Sequence, residues 1–284
     1  LNGYEWSSDG SFNIILSATD NVTGITVKNG TLKLYADTED GKSAIQHNAS
    51  GCDNWTWQDL YVDLSSGNHG YFVSAALESK TQTGWVFERI VIVDNAEKDD
   101  IAFYFKGGVA TTMIRNCVVL NCNLFLIVDD DAAGNEPTSL SIYNCSFYNV
   151  ATGIAVYSGA DASNTTIKNT IFHTSPIAVL DAGDGPDPTF QTNAFVNCTT
   201  NCDGCTADET VTSDPTFVNP GGTSARDYRL RHTSPCIDAG TTITGITTDY
   251  MGRTRLVGAA VDIGAIEFRP KPKRWYHRLF RRYF

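Results

Sequence analysis

The chain repeats itself, and that constrains its fold more than any other feature. Three segments, Ile114-Arg-Asn-Cys-Val-Val-Leu-Asn121, Ile142-Tyr-Asn-Cys-Ser-Phe-Tyr-Asn149 and Ile167-Lys-Asn-Thr-Ile-Phe-His-Thr174, share one frame. With Asn116 as reference, the equivalent positions are Ile90 upstream and Asn144, Asn169 and Thr192 downstream, in steps of 26, 28, 25 and 23 residues. A constant frame with a drifting step implies a fixed strand part and a variable loop in each unit, the signature of a solenoid.

Within a unit, apolar and polar residues alternate: Met113, Arg115 and Cys117 against Ile114, Asn116 and Val118. This is the period of a strand and not of a helix. A second apolar run follows at Ile101 to Phe105, Leu124 to Val128, Ile154 to Tyr157 and Ile177 to Leu180. Two or three short strands per coil predict an all-β chain, a right-handed parallel β-helix solenoid. Leucine-rich repeats match the period but would need a recurrent Leu frame with helices, which is missing. The pattern places Ile114, Val118, Ile142, Ile167 and Phe172 in the interior. It stacks Asn116, Asn144 and Asn169 at one corner, where Asn accepts left-handed angles and its amide bonds along the stack. Asn121 and Asn149 recur in the same way.

A solenoid grows in one dimension and needs no second core, so residues 1–268 read as one domain and 269–284 as a tail. No segment reaches the roughly 20 apolar residues that span a bilayer. Leu1 to Asp9 shows no amphipathic cap, so preceding residues or a partner are expected to cover the first coil. Among eight cysteines, Cys117 and Cys145 are equivalent across one coil and read as a buried stack. Cys198, Cys202 and Cys205 suit a disulfide or free thiols better than zinc, for which a fourth ligand would have to come from Cys236 or His232.

Charge divides unevenly. Residues 269–284 hold seven basic residues and no acid, which leaves 14 basic against 32 acidic residues in the body, a formal −18. Such a body repels nucleic acid and anionic membranes, so only the tail can meet either.

After the repeats come Asp214-Pro-Thr-Phe-Val-Asn-Pro-Gly-Gly222, Asp227-Tyr-Arg-Leu230, Ser234-Pro-Cys-Ile-Asp-Ala-Gly240, Asp249-Tyr-Met-Gly-Arg-Thr-Arg255 and Val261-Asp-Ile-Gly-Ala-Ile-Glu267. This ordered series closely resembles the end of the choice-of-anchor Q group of right-handed parallel β-helix proteins, which share the pectin-lyase-like fold. The resemblance implies that residues 214–268 form a closing coil, with 262–267 as a terminal strand. Asp238, Asp249, Arg253, Asp262 and Glu267 then read as structural groups, Asp238 and Asp262 above all, in preference to a catalytic cluster.

Members of that group differ in their C-terminal anchors. Here Arg269-Pro-Lys-Pro-Lys273 is a stiff linker, followed by a basic amphipathic helix. On it Trp275, Tyr276, Leu279, Phe280, Tyr283 and Phe284 face one way and Arg274, His277, Arg278, Arg281 and Arg282 the other. Eleven residues are too few to be helical alone, so the segment is expected to order on a partner, a capsid or surface layer. A solvated tail is the alternative.

For chemistry, a polysaccharide lyase would need calcium-binding carboxylates and a base, and a hydrolase paired carboxylates. The acidic candidates are Asp129, Asp130 and Asp131, and Asp181, Asp184 and Asp187, in loops where Asp130 is expected to approach Asp184; calcium there competes with a solvated acidic loop. Lys168, Arg115 and His173 lie on repeat strands in no catalytic motif, and no catalytic residue is assigned. Tyr143, Tyr148, Tyr157 and Trp57 are the aromatics for glycan binding. The reading is therefore a structural or adhesive β-helix, extracellular or on a virion surface, docked by its tail to a larger assembly. The alternatives are a secreted polysaccharide lyase or hydrolase, and a peripheral membrane protein whose tail lies on anionic lipid.

Overall fold

The structure, a computed structural model, describes residues 5–7, 23–35, 43–47, 53–66, 71–95, 100–129, 139–157, 160, 164–183 and 185–270. The amphipathic segment 274–284 and Asp130, Asp131 and Asp184 lie outside the described residues. The fold is a parallel β-helix, as the repeats predict, and every strand ladder in it is parallel.

Three columns of strands run along the axis. The first is in register through Trp57, Phe87, Ile114, Ile142, Ile167 and Phe190. The second runs through Val62, Ile92, Val119, Phe147, Phe172 and Phe195. The third runs through Val73, Phe103, Leu126, Ile154, Val179 and Cys202. These residues point inward and share one core with Trp55 and Trp85. Along it phenylalanine rings step from coil to coil at centroid distances of 5.4 Å (Phe103–Phe125), 4.4 Å (Phe125–Phe147), 5.0 Å (Phe147–Phe172) and 5.2 Å (Phe172–Phe195). Each such pair contributes about 0.5–1.5 kcal/mol beyond its buried area.

The corners explain the asparagines. Between the first and second columns the coils each place one residue at positive φ: Asn29, Asp59, Arg89, Asn116, Asn144, Asn169 and Thr192, with φ between 51° and 57°. The upstream equivalent of Asn116 is therefore Arg89 and not Ile90: Glu88 pairs with Arg115, and the Arg89 amide donates to the Arg115 carbonyl at 3.2 Å. The shift arises because Arg bears no left-handed signal in sequence. Asn121, Asn149, Thr174 and Asn197 form a second left-handed column. A third, Gly24, Asn54, Gly84, Thr111 and Ser139, precedes the first strand column and shares no residue type that would reveal it.

Val118 departs from the expected interior. In the second column only the middle residue of each strand faces the core; Val91, Val93, Val118, Leu120 and Ile171 point outward yet are buried in a second cluster. Residues 214–268 cover them. Those residues do not close the solenoid as a coil, and 262–267 form bends and not a terminal strand. They return along the side of the helix as a strap. Phe217, Tyr228, Cys236, Ile263, Ala265 and Ile266 pack on the outer face of the second column.

Candidate functional site

The strap is pinned to the corners it crosses. The Asn169 amide group donates to Asn144 Oδ1 at 2.9 Å and to the Thr241 carbonyl at 2.7 Å, while its oxygen accepts from the Thr241 amide at 2.9 Å and the Thr192 hydroxyl at 2.5 Å. Asn116 Nδ2 donates to the Thr248 carbonyl at 3.0 Å. Asn149 instead donates to Asn121 Oδ1, at 2.8 Å. The first asparagine column thus joins coils to one another and to the strap. Gly264 makes the closest approach: its amide meets the Asn169 carbonyl at 2.8 Å, and with φ at 107° a side chain there would sit 2.7 Å from Ile171 Cδ1. Next to it the Ala265 amide donates to Ser146 Oγ at 2.9 Å.

The strap's buried charged residues shape it. Asp262 accepts from the Asp238 amide at 2.9 Å and from the Phe268 amide, and Asp238 accepts from the Ala260 amide at 3.1 Å. Asp249 takes the Arg253 amide at 2.9 Å and its guanidinium at 3.2 Å. The innermost cation is Arg255, 2% exposed, which donates to Glu267 at 3.5 Å and to the Gly264 carbonyl. Burial raises the Glu267 carboxyl to about 7, partly opposed by Arg255. Arg255 stood in the sequence beside Arg253 with no cue to tell the buried arginine from the half-exposed one.

The first column is open where the second is covered. Most of its outward residues, among them Glu88, Arg115, Ser141, Tyr143, Thr166 and Lys168, are polar, while Val86 and Met113 add apolar surface to the same face. A cleft of about 860 Å³ separates the early coils from the strap and is lined by Asn29, Asp59, Tyr61, Arg89, Arg226 and Tyr250, among others. Its one carboxylate in this set, Asp59, is held bidentately by Arg89 at 2.7 and 2.9 Å. Glu88 is bound by both Arg89 and Arg115 at 2.9 Å. Two carboxylates free to share acid and base roles are therefore not assembled among these residues.

The sequence candidates scatter. Asp129 accepts from the Tyr104 hydroxyl at 3.0 Å, and among the described residues no three His, Cys, Asp or Glu side chains meet as a metal site. His173 lies under the strap, stacked on Tyr148 at 5.2 Å and 3.9 Å from Asp214, with burial lowering its pKa. Arg115 is committed to Glu88. Trp57 is a core residue and not a surface aromatic, and Tyr148 packs beneath the strap against Tyr228; Tyr157 alone of the four aromatics is classed as exposed. Cys202 and Cys205 form a disulfide, which removes two of the three thiols from the zinc reading. Cys117 and Cys145 are buried free thiols.

A buried acid pair escaped the sequence reading. Asp94 and Asp100 flank the corner after the second column, 3% and 1% exposed. Burial and the neighbouring Asp100 raise Asp94 to about 8. Nothing in the local sequence marks it, since the burial comes from the adjoining coils.

No protein family and no curated protein matches this chain. Among solved structures it is similar to the crystal structure of pectate lyase Pel9A, at 12% identity and a TM-score of 0.42, over 93% of this chain and 86% of that one. No helix among the described residues is long and apolar enough to cross a membrane.

Proposed function

We propose that the chain is a structural surface β-helix, held to a larger assembly through residues 274–284. One observation supports this most: the outer face of the second strand column, an accessible sheet face in a bare solenoid, is apolar and sealed by the strap. The carboxylates Asp238, Asp249, Asp262 and Glu267 serve the strap's own turns, and the carboxylates beside the open cleft are bound by arginine. A rod stiffened in this way suits display or spacing of a surface. The closing series resembles choice-of-anchor Q proteins, and a virion spike, fibre or decoration is the finer form of the proposal. The basic amphipathic tail would supply the dock, its six large apolar side chains each contributing about 1.5–3 kcal/mol if fully buried.

The test has two arms. Purified chain incubated with pectate or alginate, with and without calcium, is expected to release no unsaturated sugar ends; release abolished by Asp130→Ala or Asp184→Ala would establish the lyase alternative instead. Deleting residues 270–284, or combining Trp275→Ala with Phe280→Ala, is expected to leave a folded β-helix that no longer joins its assembly. Docking that survives the apolar pair but is lost in Arg278→Glu with Arg282→Glu would make the tail an electrostatic tether, as on anionic lipid.

A further inference from the structure

Beside Pro270 at the end of the strap, a cleft of about 680 Å³ collects Arg229, Arg231, His232, Arg253 and Arg269. Its apolar wall is Val218, Leu230, Phe268 and Pro270. The gathering has a local cause. Phe217 and Leu230 form an antiparallel bridge, and strand alternation turns Leu230 into the core and Arg229 and Arg231 out. Arg253 and Arg269 come from two other stretches of the strap.

Backbone carbonyls hold three of these arginines. Arg229 Nε donates to the Arg226 carbonyl at 2.8 Å, Arg231 to the carbonyls of Phe217 and Val218 at 3.0 and 2.6 Å, and Arg269 to the Thr254 carbonyl at 2.7 Å. Backbone carbonyls orient a guanidinium without neutralising it. Among the described residues no carboxylate pairs with these three. Arg253 shares Asp249 at 3.2 Å and has a buried Nε with no hydrogen-bond partner. The one acid of the lining, Glu267, is buried and held by Arg255 and the Asp262 amide. An otherwise strongly acidic body thus carries one cleft with four oriented arginines, a volume that suits a small ligand and an apolar wall.

We propose that this cleft binds a tetrahedral oxyanion, a phosphate or sulfate monoester, with the ester's organic group against Phe268 and Pro270. Arginine forks reaching in from three stretches of chain match several oxygens at once, whereas a lone carboxylate is satisfied by a single fork. The lining of this cleft shares no residue with that of the open cleft at Asp59.

Phenyl phosphate and phenyl sulfate, titrated calorimetrically into the full chain at low salt, test it. Saturable one-to-one binding of at least one ester is expected, weakening as salt rises; the tighter ester identifies the anion. Arg229→Gln with Arg269→Gln, and separately Arg253→Gln, should each weaken binding about tenfold or more, the scale of lost charge-assisted bonds. Arg229 and Arg269 are exposed, so their pair should keep the wild-type melting temperature, and the Arg253 variant gives an independent reading. Lys271→Gln with Lys273→Gln should bind as wild type. No saturable binding to the folded chain, binding indifferent to the arginine variants, or binding lost with the two lysines would overturn the proposal.

Discussion

The asparagine corners and the strap stabilise the same solenoid by opposite means. At the corners one residue per coil repeats a left-handed turn, and each side chain that bonds along the stack meets an equivalent one coil away, as Asn149 does with Asn121. The strap repeats nothing. Its Arg255, Asp249, Asp262 and Glu267 form a single buried charged set, and Gly264 and Ala265 touch Asn169 and Ser146, more than ninety residues earlier in the chain. A repeated contact can fail in one coil while its neighbours hold, because solenoid stability is close to a sum of neighbour terms. A unique buried ion set has no neighbour to share its loss.

That contrast sets the scale of the expected effects. Arg255→Ala leaves Glu267, Asp249 and Asp262 without their central cation and should cost about 3–5 kcal/mol in denaturant unfolding. A cost under 1 kcal/mol would mean the charged set is not buried as described. Asn169→Ala should cost about 2–3 kcal/mol, since this asparagine serves the corner stack and the strap together and its loss orphans the buried Asn144 amide oxygen and partly buried groups of Thr241 and Thr192. Equal costs at Asn169 and Asn149 would erase the distinction between the two asparagine columns.

A pH series sharpens the comparison at the Asp94 corner, where no asparagine takes the left-handed turn. The unfolded Asp94 carboxyl titrates near 4 and the folded one at about 8. Between those values the unfolded chain has lost a proton that the folded chain keeps. Stability should therefore fall as pH rises across that window, by at most about 1.4 kcal/mol per pH unit, and level off above it. Asp94→Asn, facing Asp100, Asn95 and Cys122, should flatten the slope; an unchanged slope would assign it elsewhere. The smallest effect is expected from Asn149→Ala, about 1 kcal/mol by the same unfolding assay.

The repeating half of the molecule was legible in sequence because Asn-Cys and Asn-Thr pairs mark left-handed corners by residue type. Where the corner residue is Arg89, Thr111 or Ser139, the same geometry is enforced by the stack and leaves no local trace. Val118 was misplaced for a related reason. A three-residue strand buried on both faces shows no polar alternation, so its sequence does not say which face is core. The strap was legible as an ordered series of turns but not as a lateral cover, since its contacts pair residues far apart in the chain. The arginine cleft was invisible for the same reason: Arg229, Arg253 and Arg269 meet only once the strap has folded.

A structural role for this chain requires the strap to lie along the second column. The direct measurement is a disulfide trap, Ser146→Cys with Ala265→Cys, at two positions joined in the structure by a 2.9 Å amide-to-hydroxyl bond. The account predicts that the two thiols bridge readily in the native chain under mild oxidation, and that the bridged protein melts higher than its reduced form. Bridging that occurs only after unfolding, or a bridge that lowers the melting temperature and opens the apolar face to a hydrophobic dye, would place residues 214–268 elsewhere and contradict it.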